Sequence, residues 1–128
     1  MLLLDTHAFL WFVNGDARLP KSVSRTIQST EGVYVSIATF WELAIKNSLG
    51  KLELPCSLSR MMEDCARFDM TILPINGRHL DRVKALPWHH RDPFDRLLIC
   101  QAQAEGMTLV TADGSIPKYD VKTLWKDV

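Results

Sequence analysis

Short runs of leucine, β-branched and aromatic residues alternate with longer helical stretches along the whole chain, and nothing else in the sequence constrains the fold as much. Leu2 to Leu4 is a continuous apolar run of the kind buried on both faces of a sheet. Asp5-Thr6 reads as a cap for a buried helix over Ala8 to Val13, and Pro20 suits the first turn of a second helix over 20–29. Glu31-Gly32 turns the chain into a strand at 33–35, and Ser36 can cap a helix over 37–49. A helix is expected over 57–68 with Met61, Met62, Cys65 and Phe68 inward. A strand follows at 71–75, where Pro74 points to an edge or a strand end, and then a helix over 76–86. Asp92-Pro93 starts another helix that Gly106 ends. Strands are expected at 107–111 and 121–125. This order predicts an α/β fold, one domain over residues 1–128, with a mostly parallel sheet of about four to five strands and helices on both faces.

Composition narrows the classes. A chain of 128 residues with 47% hydrophobic content can build a core without disulfides or metal. The three cysteines, Cys56, Cys65 and Cys100, have no C-x-x-C spacing and are expected as buried free thiols in a reducing, cytoplasmic setting. Asp5 cuts short the apolar N-terminus, which lacks the features of a signal peptide, and no apolar run could span a membrane. The formal net charge of zero argues against a protein that holds nucleic acid through its overall field.

In a parallel sheet, ligands bind beyond the carboxyl ends of the strands. Asp5 and Asp113 follow expected strands, Glu42 lies early in the helix after the second strand, and Asp95 lies in the first turn of the helix begun by Pro93. Brought together, four acids would resist ionisation unless a divalent cation joined them, and oxygen-only ligands favour Mg²⁺ or Mn²⁺. Each acid also has a local explanation. Asp5 can cap a helix, Glu42 can pair with Lys46 on the surface, Asp95 can favour the helix dipole, and Asp113 can be a turn acid. Asp92 is read as a helix cap and nothing more.

The segments LLLDTH from Leu2, WELAIK from Trp41, HRDPFDRLLI from His90 and LVTAD from Leu109 resemble the four sequence blocks of the PIN-domain family. More narrowly they are similar to the VapC-type toxins of bacterial toxin–antitoxin pairs, and the resemblance spans nearly the whole chain. It implies a compact α/β ribonuclease in which Asp5, Glu42 and Asp95 form a core triad and Asp113 a fourth acid, all catalytic and all holding Mg²⁺ or Mn²⁺. Thr6 and Thr111 match hydroxyls that orient the carboxylates. Arg96 is expected to support the ligands or face phosphate, with a solvated helix charge as the equal alternative. The implied chemistry is attack on RNA by water activated on the metal, leaving 5′-phosphate and 3′-hydroxyl ends. It also implies a small antitoxin partner and a homodimer. The helices at 20–29 and 37–49 and Phe9, Trp11, Phe12, Phe40 and Trp41 offer apolar surface for such contacts, unless they are core.

Some features depart from the family pattern or stay open. Gly114 and Pro117 are expected to loosen the turn after Asp113, although Ile116 can fill its apolar position. His7 is read as a structural histidine, while His89, His90 and Arg91 could touch substrate or partner. The segment 78–96, with five Lys/Arg, three histidines and three acids, is either a solvated face or an RNA-facing patch. The competing function is a catalytically inactive PIN-like module that binds RNA or protein, and the unbroken acid set argues against it. A metal-dependent phosphatase or receiver-like domain is disfavoured, since no acid pair directly follows the first strand. If the four acids form one metal pocket, 15 basic against 11 acidic residues leave +4 on the remaining surface. The zero total then conceals an acidic site in a mildly basic setting.

Overall fold

The computed structural model describes residues 1–125. Five strands form one all-parallel sheet: β1 (Leu2–Leu4), β2 (Val33–Ser36), β3 (Met70–Leu73), β4 (Thr108–Val110) and β5 (Thr123–Leu124), in the spatial order β3-β2-β1-β4-β5. The connecting helices are α1 (Thr6–Val13), α2 (Lys21–Ser29), α3 (Ile37–Ser48), α4 (Leu58–Arg67), α5 (Gly77–Ala85) and α6 (Pro93–Glu105), and a 3₁₀ turn follows at Ile116–Lys118. The mostly parallel expectation is met, and β3, with Pro74 just beyond it, lies at the sheet edge.

β1 is central, which explains why its three leucines are all buried. Successive side chains alternate between faces. Leu2 and Leu4 join Phe9, Val23, Val35, Phe40, Leu43 and Met61 in one core layer. Leu3 joins Leu98, Ile99, Leu109, Ile116 and Tyr119 in the other. Each fully buried leucine contributes roughly 1.5–3 kcal/mol, so a slip of one residue in β1 would exchange its partners on both faces at once.

Local chemistry sets the helix ends. Ser36, Ser57 and Asp92 cap α3, α4 and α6 through their side-chain oxygens, and Asn76 makes a capping box with His79 at α5. Gly106 ends α6 at φ 67, a left-handed conformation in which a Cβ is strained. The expectation of three buried thiols needs correction. Cys65 and Cys100 are buried, but Cys56 is exposed, because it sits in the connection before α4 and outside both core layers. Among the described residues, no helix is long and apolar enough to cross a membrane.

Candidate functional site

The chain fills β2 and β3 on one side of β1 and then crosses to β4 and β5 on the other, so the strand order reverses beside the carboxyl end of β1. A cleft of about 320 Å³ opens there, lined by Asp5, Thr6, His7, Glu42, Lys46, Asp92, Asp95, Ala112 and Asp113. The four acids singled out from the sequence all line it. They come from four separate segments, and only the sheet topology brings them together.

The acids grade from deep to shallow. Asp5 and Glu42 are buried at 7% and 4% exposure. The Asp95 side chain is 23% exposed and that of Asp113 35%. Asp5 does both jobs considered for it, since Oδ1 accepts the Ala8 N–H at 2.8 Å and caps α1 while the carboxylate lines the cleft. The Thr111 hydroxyl, which accepts the Asp113 N–H at 3.1 Å, also favours the Asp5 carboxylate. Thr6 donates a short hydrogen bond to Glu42 Oε1. Glu42 Oε2 pairs with Lys46 Nζ at 2.7 Å. That pair is not a solvated surface bridge, because Glu42 is buried and both residues line the cleft.

Burial pushes the Asp5 carboxyl above its usual range despite the Thr111 and Ala8 hydrogen bonds. Asp95 is pushed up to about 7, first by burial and then by the charges of Asp92, Asp5 and Glu42. Burial also acts on Asp113, but hydrogen bonds from the Ser115 hydroxyl and amide and from His90 outweigh it and hold that carboxyl low. At Lys46 burial works against the charge, and the Glu42 bond with the fields of Asp92 and Asp95 overcomes it, leaving the pKa raised. Crowded, desolvated carboxylates that resist ionisation are relieved by a cation, so the donor set fits a divalent metal.

Three site residues carried weaker signals in the sequence. Asp92 caps α6 by accepting from the N–H groups of Phe94 and Asp95, yet it also lines the cleft. Lys46 carried only the spacing of a helix pair. His90, left open as a substrate or partner contact, stands inside the acid cluster. Its Nε2 lies 2.8 Å from Asp113 Oδ2 and 3.1 Å from Asp95 Oδ2, and these three groups could together hold an ion. Its place in the third sequence block, beside the Asp92 cap, was the available clue.

Two expectations are corrected. Arg96 neither faces phosphate in the cleft nor sits in solvent, which leaves the supporting role of the three readings. It is 3% exposed, and its guanidinium donates to the carbonyls of Val83, Leu86 and Pro87 at 3.3, 3.1 and 2.8 Å, beneath the Trp88 ring at 3.7 Å. The turn after Asp113 is not loose. Ser115 ties Asp113 Oδ1 with its N–H at 2.8 Å and its hydroxyl at 2.7 Å, and Ile116 is fully buried beneath it. Among the aromatics, Phe9 and Phe40 are core and pack edge-to-face, whereas Trp41 is 60% exposed against Phe94.

A family model described as PIN domain matches residues 2–122. Among solved structures, FitAB bound to an IR36 DNA fragment is similar with a TM-score of 0.69 and 20% identity, covering 100% of this chain and 98% of that one. FitAcB from Neisseria gonorrhoeae has a TM-score of 0.66 and 21% identity, with 96% of each chain covered. A toxin–antitoxin complex from Klebsiella pneumoniae has a TM-score of 0.68 and 16% identity, covering 97% of this chain and 96% of that one. No curated protein matches the sequence.

Proposed function

The chain belongs to the PIN domain family, and from that premise we propose that it is a metal-dependent endoribonuclease, the toxin of a toxin–antitoxin pair. The observation that carries the reading is the convergence of Asp5, Glu42, Asp95 and Asp113 on one cleft at the carboxyl end of the sheet, with Asp5 and Asp95 resisting ionisation there. These four would hold Mg²⁺ or Mn²⁺. When bound, such an ion makes water a usable nucleophile near neutral pH and neutralises charge growing on a phosphoryl group.

The protein's own residues prepare that chemistry. Thr111 and the Ala8 N–H fix the Asp5 carboxylate from behind, Thr6 fixes Glu42, and Ser115 fixes Asp113. Fixed carboxylates lose little freedom when an ion arrives. Lys46, its side chain 37% exposed at the cleft, is placed to attract a phosphate entering an otherwise acidic site. No serine or cysteine nucleophile is required.

A small antitoxin is the expected partner, since similar folds occur in toxin–antitoxin complexes. A homodimer acting in the cytoplasm completes the reading. Incubation of purified protein with total RNA in Mg²⁺ or Mn²⁺ should yield 5′-phosphate and 3′-hydroxyl ends, and EDTA should stop it. Asp5→Asn should abolish cleavage while the domain stays folded. Full activity in that variant would refute the assignment.

A further inference from the structure

His90 can be read as a metal ligand, because its Nε2 and the carboxylates of Asp95 and Asp113 lie within 4.8 Å of one another. Its other nitrogen argues against that. The backbone N–H of Asp92 points at His90 Nδ1 from 3.1 Å. A backbone N–H only donates, so Nδ1 presents a lone pair and the ring hydrogen resides on Nε2. Nε2 therefore donates to Asp113 Oδ2 at 2.8 Å, with Asp95 Oδ2 beside it at 3.1 Å. A histidine that binds metal through Nε2 carries its hydrogen on Nδ1 and gives it to a carbonyl or carboxylate. Here that place is taken by another donor.

The loop that presents His90 is braced from the two segments whose carboxylates it joins. Arg96, next in the chain to Asp95, holds the Leu86 and Pro87 carbonyls. Tyr119, six residues past Asp113, accepts the N–H groups of His89 and His90 at 2.9 and 2.8 Å and donates its own hydroxyl to the Pro87 carbonyl at 2.8 Å. The exposed Trp88 ring covers the guanidinium and so keeps water from competing for it. These bonds fix the His90 backbone, and the Asp92 N–H and Asp113 hold its ring.

We propose that His90 is a positioning residue and not a metal ligand: a donor of fixed tautomer that draws Asp95 and Asp113, from two different elements, to the spacing an ion requires. The proposal rests on the metal-dependent reading above, and its test uses Mn²⁺ alone, without RNA. Calorimetric Mn²⁺ binding to the full chain should weaken about tenfold in His90→Ala, the usual scale for losing a group that orients a ligand. His90→Gln keeps an N–H donor and should recover most of that loss. Pulsed EPR of bound Mn²⁺ should show no coordinated imidazole nitrogen that disappears in His90→Gln. Such a signal would overturn the proposal, as would unchanged affinity in His90→Ala. A folded His90→Gln that binds Mn²⁺ tenfold or more weaker than wild type would overturn the donor role, and this comparison with the EPR decides the matter even if the Ala variant does not fold. Absence of Mn²⁺ binding to the wild type would refute the metal reading itself and this proposal with it.

Discussion

Removing metal should make this protein less stable as pH rises, and Asp95 is the reason. Its carboxyl is pushed up from 3.8 to about 7 in the folded chain, so between those values the folded state keeps a proton that the unfolded state has released. Stability therefore falls as pH climbs through this window, and the full cost is present above about 7. A difference of roughly three units at 1.36 kcal/mol each gives about 4 kcal/mol. Water reaching a side chain that is 23% exposed brings the expected range to about 2–4 kcal/mol. Asp5 shifts in the same direction. Asp16 and Asp113 are held low, so their contributions are lost only below about pH 4, outside the window. The assay is denaturant unfolding in EDTA at pH 5, 6, 7 and 8, on wild type and Asp95→Asn. Histidines titrate in the same range, and the difference between the two proteins removes the effect of those that do not touch Asp95, while placing both on a His90→Gln background removes that of His90. Asp95→Asn should gain about 1–3 kcal/mol on wild type from pH 5 to about 7 and hold that lead at pH 8. Saturating Mg²⁺, at a hundred times its dissociation constant, should return about 2.7 kcal/mol to the wild type. A wild-type and variant pair that run parallel across the whole range would refute the reasoning.

Other perturbations separate the core, the loop brace and the backbone. Leu109→Ala, at a fully buried site in β4, should cost about 2–5 kcal/mol by chemical denaturation. Tyr119→Phe leaves the N–H groups of His89 and His90 without their partner while Arg96 still holds the Pro87 carbonyl, and a loss of about 1–3 kcal/mol is expected in the same assay. Gly106→Ala places a Cβ in the left-handed region with nothing within 4 Å to touch, so its cost of about 1–2 kcal/mol is purely conformational. A melting temperature unchanged from wild type would contradict that last account.

Much of this protein is local in origin. The caps at Asp5, Ser36, Ser57 and Asp92, the stop at Gly106 and the apolar runs of β1 and β2 follow from side-chain chemistry a few residues wide. The alternation of these elements was enough to indicate a parallel sheet, because parallel strands need a crossover that a helix supplies. The four acids were visible for the same reason: each stands just after a strand or at a helix start, and the rim of the sheet follows from the topology.

What an individual side chain does once the rim is assembled depends on atoms that are distant in sequence. Glu42 and Lys46 have the spacing of a surface pair, and only the packing of α3 against α1 and α6 turns them into part of the cleft. Arg96 has the sequence signature of a helix charge, yet the end of α5 lies close enough for the Val83 and Leu86 carbonyls to hold the guanidinium. His90 shows nothing in sequence of the Asp92 N–H that sets its tautomer or of the Tyr119 hydroxyl, 29 residues away, that holds its backbone. Strand, helix and cap preferences are short-range energies that a chain expresses wherever it is. Burial, charge state and hydrogen-bond direction are properties of a place, and a residue acquires them only when the tertiary structure closes around it.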